Sequence, residues 1–421
     1  MAHAAVVSDQ PGPDRATPYG WAIFALSFGL LMSDHMARQV LNAVSPLIKA
    51  EWQLSNLELA SLSSIVAAAV GVLTLPLSLA ADRFGRVRSL VAMATLWSLA
   101  TLGGALAQSY PQMLAARFLV GVGEAAYGSV GIAVVLAVFP VSLRSTLSAS
   151  FLAGSVVGQM VGVGVGGQIA ASYGWRHAFD AIGLIGLALA LAYWLVVRED
   201  RIGIRPAREK LVWRRLGQQL FGKRVLLCAY FSSGIQLFCT GALAVFMPLL
   251  LTRHYGMTLA QAGKTNALFL LICAIGMVAC GMFSDRMARN NPAIKPRIAM
   301  TYSLITAALF AGAFILPPGK MQLALLAGAM LPVAGVAGVA GAMAANLTPS
   351  SIHSTAMAVL ALANNLLGLA LGPLVIGWLS DRIGLLDALL LMPLPCLLCA
   401  GSMMLARTDY AQEMAAMQAL T

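Results

Sequence analysis

Twelve stretches of about twenty or more mostly apolar residues run through this chain, and each is long enough to cross a lipid bilayer. They are Gly20–Val44, Leu57–Ala81, Arg88–Gln108, Gln112–Phe139, Ser145–Ala171, Ala178–Val197, Leu226–Leu251, Gln261–Phe283, Ile298–Leu316, Met321–Leu347, Ser354–Leu379 and Leu385–Leu405. A segment in lipid must satisfy its own backbone N–H and C=O groups, and these runs are too long for strands, so each reads as an α-helix. Only 10% of the 421 residues are charged, against about 25% in soluble domains. The expected fold class is therefore an all-α membrane protein with twelve transmembrane helices.

Between the sixth and seventh runs lies the one long polar segment, 198–224, with nine basic residues against Glu199, Asp200 and Glu209. It reads as a basic linker lying along an anionic leaflet. The chain then divides into a tail (1–19), a six-helix bundle (20–197), the linker (198–224), a second bundle (225–406) and a tail (407–421). The first nineteen residues include Pro11, Pro13 and Pro18 and no apolar core of a signal peptide, so no cleaved leader is expected. With the N-terminus inside, nineteen Lys and Arg fall on the cytoplasmic side and six on the outer side, which places both termini in the cytoplasm. The net charge of +11 follows from those loops and does not call for nucleic acid.

The halves repeat one another. SLAADRFGRVR follows the second span and GMFSDRMAR the eighth; Asp82 lies 62 residues beyond Gly20, and Asp285 lies 60 beyond Val225. GQIAASYG (Gly167 to Gly174) after the fifth span pairs with GWLSDRIG (Gly377 to Gly384) after the eleventh. A duplicated six-helix unit, two pseudo-symmetric bundles, is the simplest source of that register.

Asp82-Arg83-Phe84-Gly85-Arg86 resembles the loop motif of the major facilitator superfamily, GxxxDRxGRR, with Ser78 at the leading glycine and Val87 at the last basic position. The resemblance implies the major facilitator fold, alternating access and a gate in which Asp82, Arg83, Gly85, Arg86 and their counterparts Asp285 and Arg286 take part. Positive-inside anchoring is the plainer alternative. ARFLVGVGEAAYG in the fourth span is similar to the spinster-like branch, whose members are linked to lysolipid and sphingolipid export, and less closely to anion:cation symporters of sugar acids. WSLATLGGAL and GWRHAF extend that likeness over roughly residues 30–200. The fifth span carries Gly154, Gly158, Gly162 and Gly166 four apart, a spacing that lets two helices approach closely. It lacks the proline of the antiporter version.

Four ionisable residues stand deep in spans: Asp34, Arg38, Arg117 and Glu124. A charge at the bilayer centre costs at least about 2.5–3.5 kcal/mol, so each needs a partner or a hydrated cavity. Arg117 and Glu124 are seven apart, on one helix face roughly 10 Å from each other. Asp34 and Arg38 are four apart and within touching distance. The resemblance implies that spans one and four line the central cavity, so these groups form one site. Glu124, with Asp34, is expected to carry a proton: burial favours the neutral acid and a guanidinium favours the carboxylate, so substrate arriving or leaving switches it. Arg38 and Arg117 are expected to bind an anionic group, with Tyr127 beside them; the alternative is a permanent ion pair with Asp34 or Glu124. The related families read N-Y-x-D-R where this chain has Asp34-His35-Met36-Ala37-Arg38. Asp34 either replaces the carboxylate absent at Ala37 or leaves coupling to Glu124 alone. His35 reads as a histidine hydrogen-bonded within its helix.

The second half has no deep acid. Gln236, Thr240, Asn266, Asn364 and Asn365 are its polar candidates, and Gln236, Thr240, Asn364 and Asn365 complete the substrate-binding set. A neutral half opposite a charged one suits an amphipathic anion. The six cysteines, including Cys396-x-x-Cys399, sit in apolar runs without His or acidic neighbours and read as packed side chains rather than a metal or redox site. No cofactor or metal is expected, and no nucleotide loop, HExxH or Ser-His-Asp pattern points to an enzyme. The expected function is a proton-coupled secondary transporter of an amphipathic or lipid-like organic anion, working as a monomer in a bacterial inner membrane. A symporter of small carboxylates or sugar acids and a multidrug efflux pump are the alternatives.

Overall fold

The computed structural model describes residues 17–140, 143–201, 217, 219–289, 291–349 and 352–418. The N-terminal tail with Arg15, and linker residues 202–216 with Arg205, Arg208, Lys210, Arg214 and Arg215, lie outside the described residues, as does the Arg144 side chain.

Among the described residues every regular element is a helix. The first half holds α1 (Pro18–Trp52), α2 (Asn56–Phe84), α3 (Arg86–Ala105), α4 (Tyr110–Glu124), α5 (Tyr127–Ala137), α6 (Arg144–Tyr173) and α7 (Trp175–Val196). The second holds α8 (Arg224–His254), α9 (Leu259–Ala288), α10 (Lys295–Ile315), α11 (Lys320–Val333), α12 (Gly335–Leu347), α13 (His353–Ala363), a π-helix (Asn364–Ala370), α14 (Leu371–Ile383), α15 (Leu385–Leu389) and α16 (Pro393–Gln418). Four crossings are made in pieces: α4–α5, α11–α12, α13–π–α14 and α15–α16. Eleven crossings are long and apolar enough to span a membrane. The twelfth is α1, the longest helix at 35 residues, which Asp34, His35 and Arg38 interrupt. The exterior is apolar, with Leu99, Leu152, Leu184, Ile275, Met282 and Leu398 exposed, while Asp34, Arg117 and Glu124 are buried. That inverts the soluble pattern and suits lipid as the solvent.

Local chemistry sets the length of α1. Thr17 Oγ1 accepts from Gly20 N–H at 3.0 Å, with Pro18 in the first turn, where a missing N–H costs nothing. The helix runs eight residues past the expected end at Val44, through Pro46. A proline has no N–H for the carbonyl four residues earlier, here that of Asn42, and Ser45 Oγ donates to that carbonyl at 2.9 Å. Gln53, left-handed at φ 52°, closes the helix by donating its N–H to Lys49 O.

Packing divides the chain into two compact units. The first comprises Met1–Gln53, Val72–Glu209 and Met257–Ala267, with α1 against α6 at its centre. Gly154, Gly158, Gly162 and Gly166 face Phe28, Met32, Met36 and Val40 in turn. Both series step by four, so the helices approach in register; a Cβ at Gly158 or Gly162 would stand 2.9 Å from the Cα of Met32 or Met36. At one end, Glu51 on α1 accepts from Trp175 Nε1 at 2.6 Å and pairs with Arg176 at 2.9 Å, and Arg176 lies over the Trp175 ring.

The second unit comprises Leu54–Gly71, Lys210–Gly256 and Leu268–Thr421. α8 is its hub, packed against α16, the π-helix and α12 around Val225, Tyr230, Tyr302, Met343, Met403 and Tyr410. The π-helix lies against a close backbone approach: a Cβ at Gly368 would meet Gly234 O at 2.8 Å. The first turn of α2 belongs here too. Asp381, in the repeated GWLSDRIG, accepts from the N–H groups of Asn56 (2.7 Å) and Leu57 (2.9 Å), capping that helix with a carboxylate. All six cysteines are free; Cys239 and Cys396 thiols stand 3.6 Å apart within the core.

Candidate functional site

The deep charges of the first unit gather where α4 stops. Glu124 is the last residue of α4; Ala125 and Ala126 turn, and α5 begins at Tyr127. Thr74 Oγ1 takes the Ala125 carbonyl at 2.7 Å, so the break leaves that acceptor satisfied. Gly123 seats α4 on α3, since a Cβ there would lie 2.7 Å from Trp97 N.

At this break the Glu124 side chain is fully buried, and Arg38 reaches it from α1 with Nη2 at 2.8 Å and Nε at 3.0 Å. Both nitrogens fall on Oε2. Among the described residues Oε1 has no hydrogen-bond partner, and neither has Asp34 Oδ1 on α1. The two carboxyls are neighbours. Carboxylates only accept, so two neighbouring buried carboxyls, each with an oxygen lacking a donor, are satisfied together by one shared proton. His35 Nδ1 bonds Leu31 O at 3.1 Å, which fixes it as a donor within its own helix, and lies 3.5 Å from Asp34 Oδ2.

Arg117 has a different setting. It is 1% exposed, and its guanidinium donates to Ala37 O at 2.8 Å and Arg38 O at 3.3 Å. It therefore holds the backbone that carries Arg38, while the Arg38 side chain remains 23% accessible. Tyr127, wholly buried, donates to Ser27 O at 2.9 Å and meets Trp97 edge-on at 5.0 Å.

The polar candidates of the second unit lie on α8 and the π-helix. Gln236 Nε2 and Thr240 Oγ1, four residues apart on α8, have no hydrogen-bond partner among the described residues. Asn364 Oδ1 accepts from Ser233 at 2.7 Å, and Asn365 donates to Ala361 O at 2.9 Å. Asn266 is buried in the first unit.

At the repeated loop, Asp82 pairs with Arg86 at 2.7 Å, Arg83 lies 5.8 Å from the Phe84 ring, and Asp285 reaches Lys295 at 3.6 Å. Gly85 has φ 103°, a conformation other residues resist. Glu199, just beyond α7, accepts from the N–H groups of Arg86 (2.8 Å), Val87 (2.9 Å) and Arg88 (3.3 Å) and caps α3. Sequence reading passed over Glu199; its one signal was an acid in a segment otherwise rich in arginine. Trp175 and Arg176 belong to GWRHAF, which was read as a likeness and not as a clasp on Glu51.

An all-helical fold of twelve crossings, with an apolar exterior and a charged cluster among its helices, is that of a polytopic membrane protein. The chain belongs to the Major Facilitator Superfamily, whose profile matches residues 26–373. It is similar to protein spinster homolog 1 of Homo sapiens, 25% identical over 90% of this chain and 77% of that one. It is also similar to the 4-hydroxybenzoate transporter PcaK of Pseudomonas aeruginosa, 29% identical over 64% of this chain and 67% of that one. The fold matches a crystal structure of a bacterial homolog to the human lysosomal transporter Spinster in an inward-facing, unoccupied conformation, with TM-score 0.84 and 19% identity over 94% of this chain and 98% of that one. Family and fold are those of transporters.

Proposed function

We propose that this chain is a proton-coupled carrier of an organic anion, in which the Asp34–Glu124 pair carries the proton and Arg38 receives the anionic group. The observation that carries this reading is two neighbouring buried carboxyls, each with an oxygen lacking a donor, beside a partly accessible guanidinium. Charge balance supplies the coupling. Asp34 and Glu124 ionised, with Arg38 and Arg117, sum to zero; one proton on the pair leaves a net positive charge inside a low-dielectric bundle, which is costly. A monovalent anion cancels it. The anion is therefore held more tightly with the proton on the pair than without it, which couples the two as symport across a cycle of alternating access. Arg117 serves this site by fixing the α1 backbone.

The second unit's candidates Gln236, Thr240, Asn364 and Asn365 are neutral, which suits an anion with an apolar body of the amphipathic or lipid-like kind. PcaK, whose name gives it an aromatic acid, favours a second reading, a small carboxylate. In either reading the carrier sits in a bacterial inner membrane with its termini in the cytoplasm, which the excess of Lys and Arg on that side supports.

The test uses purified protein in liposomes under an inward proton gradient, offered an anionic lysophospholipid and 4-hydroxybenzoate. Uptake of either that collapses with the gradient supports the scheme, and the pair of probes separates the two substrate classes. Glu124→Gln should abolish gradient-driven uptake and keep counterflow. Gradient-driven uptake by Glu124→Gln at the wild-type rate would end the reading.

A further inference from the structure

The orphaned oxygens of Asp34 and Glu124 are not alone in the first unit. Among the described residues Ser33 Oγ, Trp97 Nε1 and Ser98 Oγ are also buried without a hydrogen-bond partner, Ser27 Oγ and Tyr193 Oη have at most each other, and none of these residues is more than 1% exposed. They connect. Ser33 on α1 and Ser98 on α3 face one notch on α7, because a Cβ at Gly186 would collide with both hydroxyls. Trp97, next to Ser98, meets Tyr127 edge-on, and the Tyr127 hydroxyl donates to the Ser27 carbonyl. The Ser27 side chain lies beside the Tyr193 hydroxyl; Tyr19 lies eight residues before Ser27 on α1, and Glu199 six residues after Tyr193, past the end of α7. These two are partly exposed at the end of the unit that holds the DRFGR loop, where Tyr19 accepts from Arg198 N–H at 3.0 Å.

The spacing supports a continuous line. Asp34 and Ser27 are seven residues apart on α1, and Gly186 and Tyr193 seven apart on α7, so each pair shares a helix face about 10 Å apart. Buried polar groups are almost always satisfied, and a buried water makes about three hydrogen bonds to groups that lack partners. We propose that this line binds a file of water that conducts protons between the Asp34–Glu124 pair and the Tyr193–Glu199 edge, inside the first unit. It rests on the reading of that pair as the proton carrier. Only O–H bonds are exchanged: each water or hydroxyl accepts one proton and releases its own, ending on a carboxylate. The titratable and charged groups that face the line are Asp34, His35, Arg38 and Tyr19 from α1 and its first turn, Arg117 and Glu124 from α4, Tyr127 from α5, Tyr193 from α7 and Glu199 beyond it. Gln39 and Gln159, which join α1 to α6, carry no charge.

Hydroxyl-radical footprinting by radiolysis tests the water directly, since radicals form where water is bound. In the full chain in lipid nanodiscs, Trp97, Tyr127 and Tyr193 should be modified several-fold faster, after correction for intrinsic reactivity, than the equally buried Phe179 and Tyr410. Equal rates overturn the file. Conduction is tested by infrared spectroscopy after a pH jump, following the protonated-carboxyl band that Glu124→Gln removes. Ser27→Ala with Tyr193→Phe, which deletes two hydroxyls and little volume, should slow that band several-fold and leave its final amplitude. An unchanged rate overturns the path while the proton-carrying pair stands. A wild-type protein with no such band at any pH overturns both.

Discussion

Arg38 meets Glu124 with two nitrogens on one oxygen, and that asymmetry sets what removing either partner does. Arg38→Ala leaves a buried carboxyl whose only charged donor is gone, a loss of about 3 kcal/mol, at the low end for a broken buried pair because the acid can take up a proton instead. Glu124→Gln in the same chain should recover most of it, so a double-mutant cycle by thermal unfolding should show strong coupling; additive losses would mean the pair is solvated. All four charges were legible as a group, because ionisable residues inside apolar runs announce themselves. Their partners were legible only as a choice between Asp34 and Glu124 for each arginine. The spacing of Asp34 and Arg38 shows only that the two share a face of α1; that Arg38 turns instead to Glu124 depends on α4 ending at Ala125-Ala126, and two alanines carry no mark of a break. Arg117 illustrates the same limit, since no pattern of side chains reveals that its targets are backbone carbonyls.

At the scale of elements, the glycines of α6 were readable as a stripe by their spacing, while the helix they meet was not. The matched step of Phe28, Met32, Met36 and Val40 shows how much the contact tolerates. Gly158→Val forces a side chain against the Met32 backbone and should lower stability by about 1–3 kcal/mol or more. Gly164→Ala meets nothing nearer than Ala267 Cβ at 3.9 Å and should change little. Thermal unfolding in detergent compares them, and equal losses would refute the registered packing. The π-helix at Asn364–Ala370 had no sequence signal, because it depends on how closely α8 approaches. The clasp of α1 on α7 makes an electrostatic prediction. The Trp175 indole and then Arg176 hold the Glu51 carboxyl below its usual range. A group depressed on folding stabilises above its unfolded value and loses that contribution as pH falls through the folded one. Glu51→Gln should therefore melt earlier than wild type at neutral pH, with the gap closing only well into the acid range. A gap that is constant with pH would assign the effect to packing.

For the whole molecule, the repeats gave the six-plus-six division, yet the compact units exchange pieces: Leu54–Gly71 joins the second and Met257–Ala267 the first. A sequence repeat records duplication, and it is silent on which unit the end of a long helix packs against. Orientation is where sequence and physics lead furthest together. Moving Lys or Arg across a bilayer during insertion is disfavoured, so the side with nineteen basic residues should stay in the cytoplasm and the side with six should be translocated. The cysteines make this easy to check, because Cys228, Cys239, Cys396 and Cys399 are buried and Cys273 and Cys280 partly covered, which keeps background labelling low. A cysteine placed at Gln53, exposed between α1 and α2, should react with a membrane-impermeant maleimide on intact cells. One placed at Arg407, exposed on α16, should react only after permeabilisation. The reverse pattern would invert the protein and move the Tyr193–Glu199 edge to the outer surface, so the proposed water file would open to the opposite compartment.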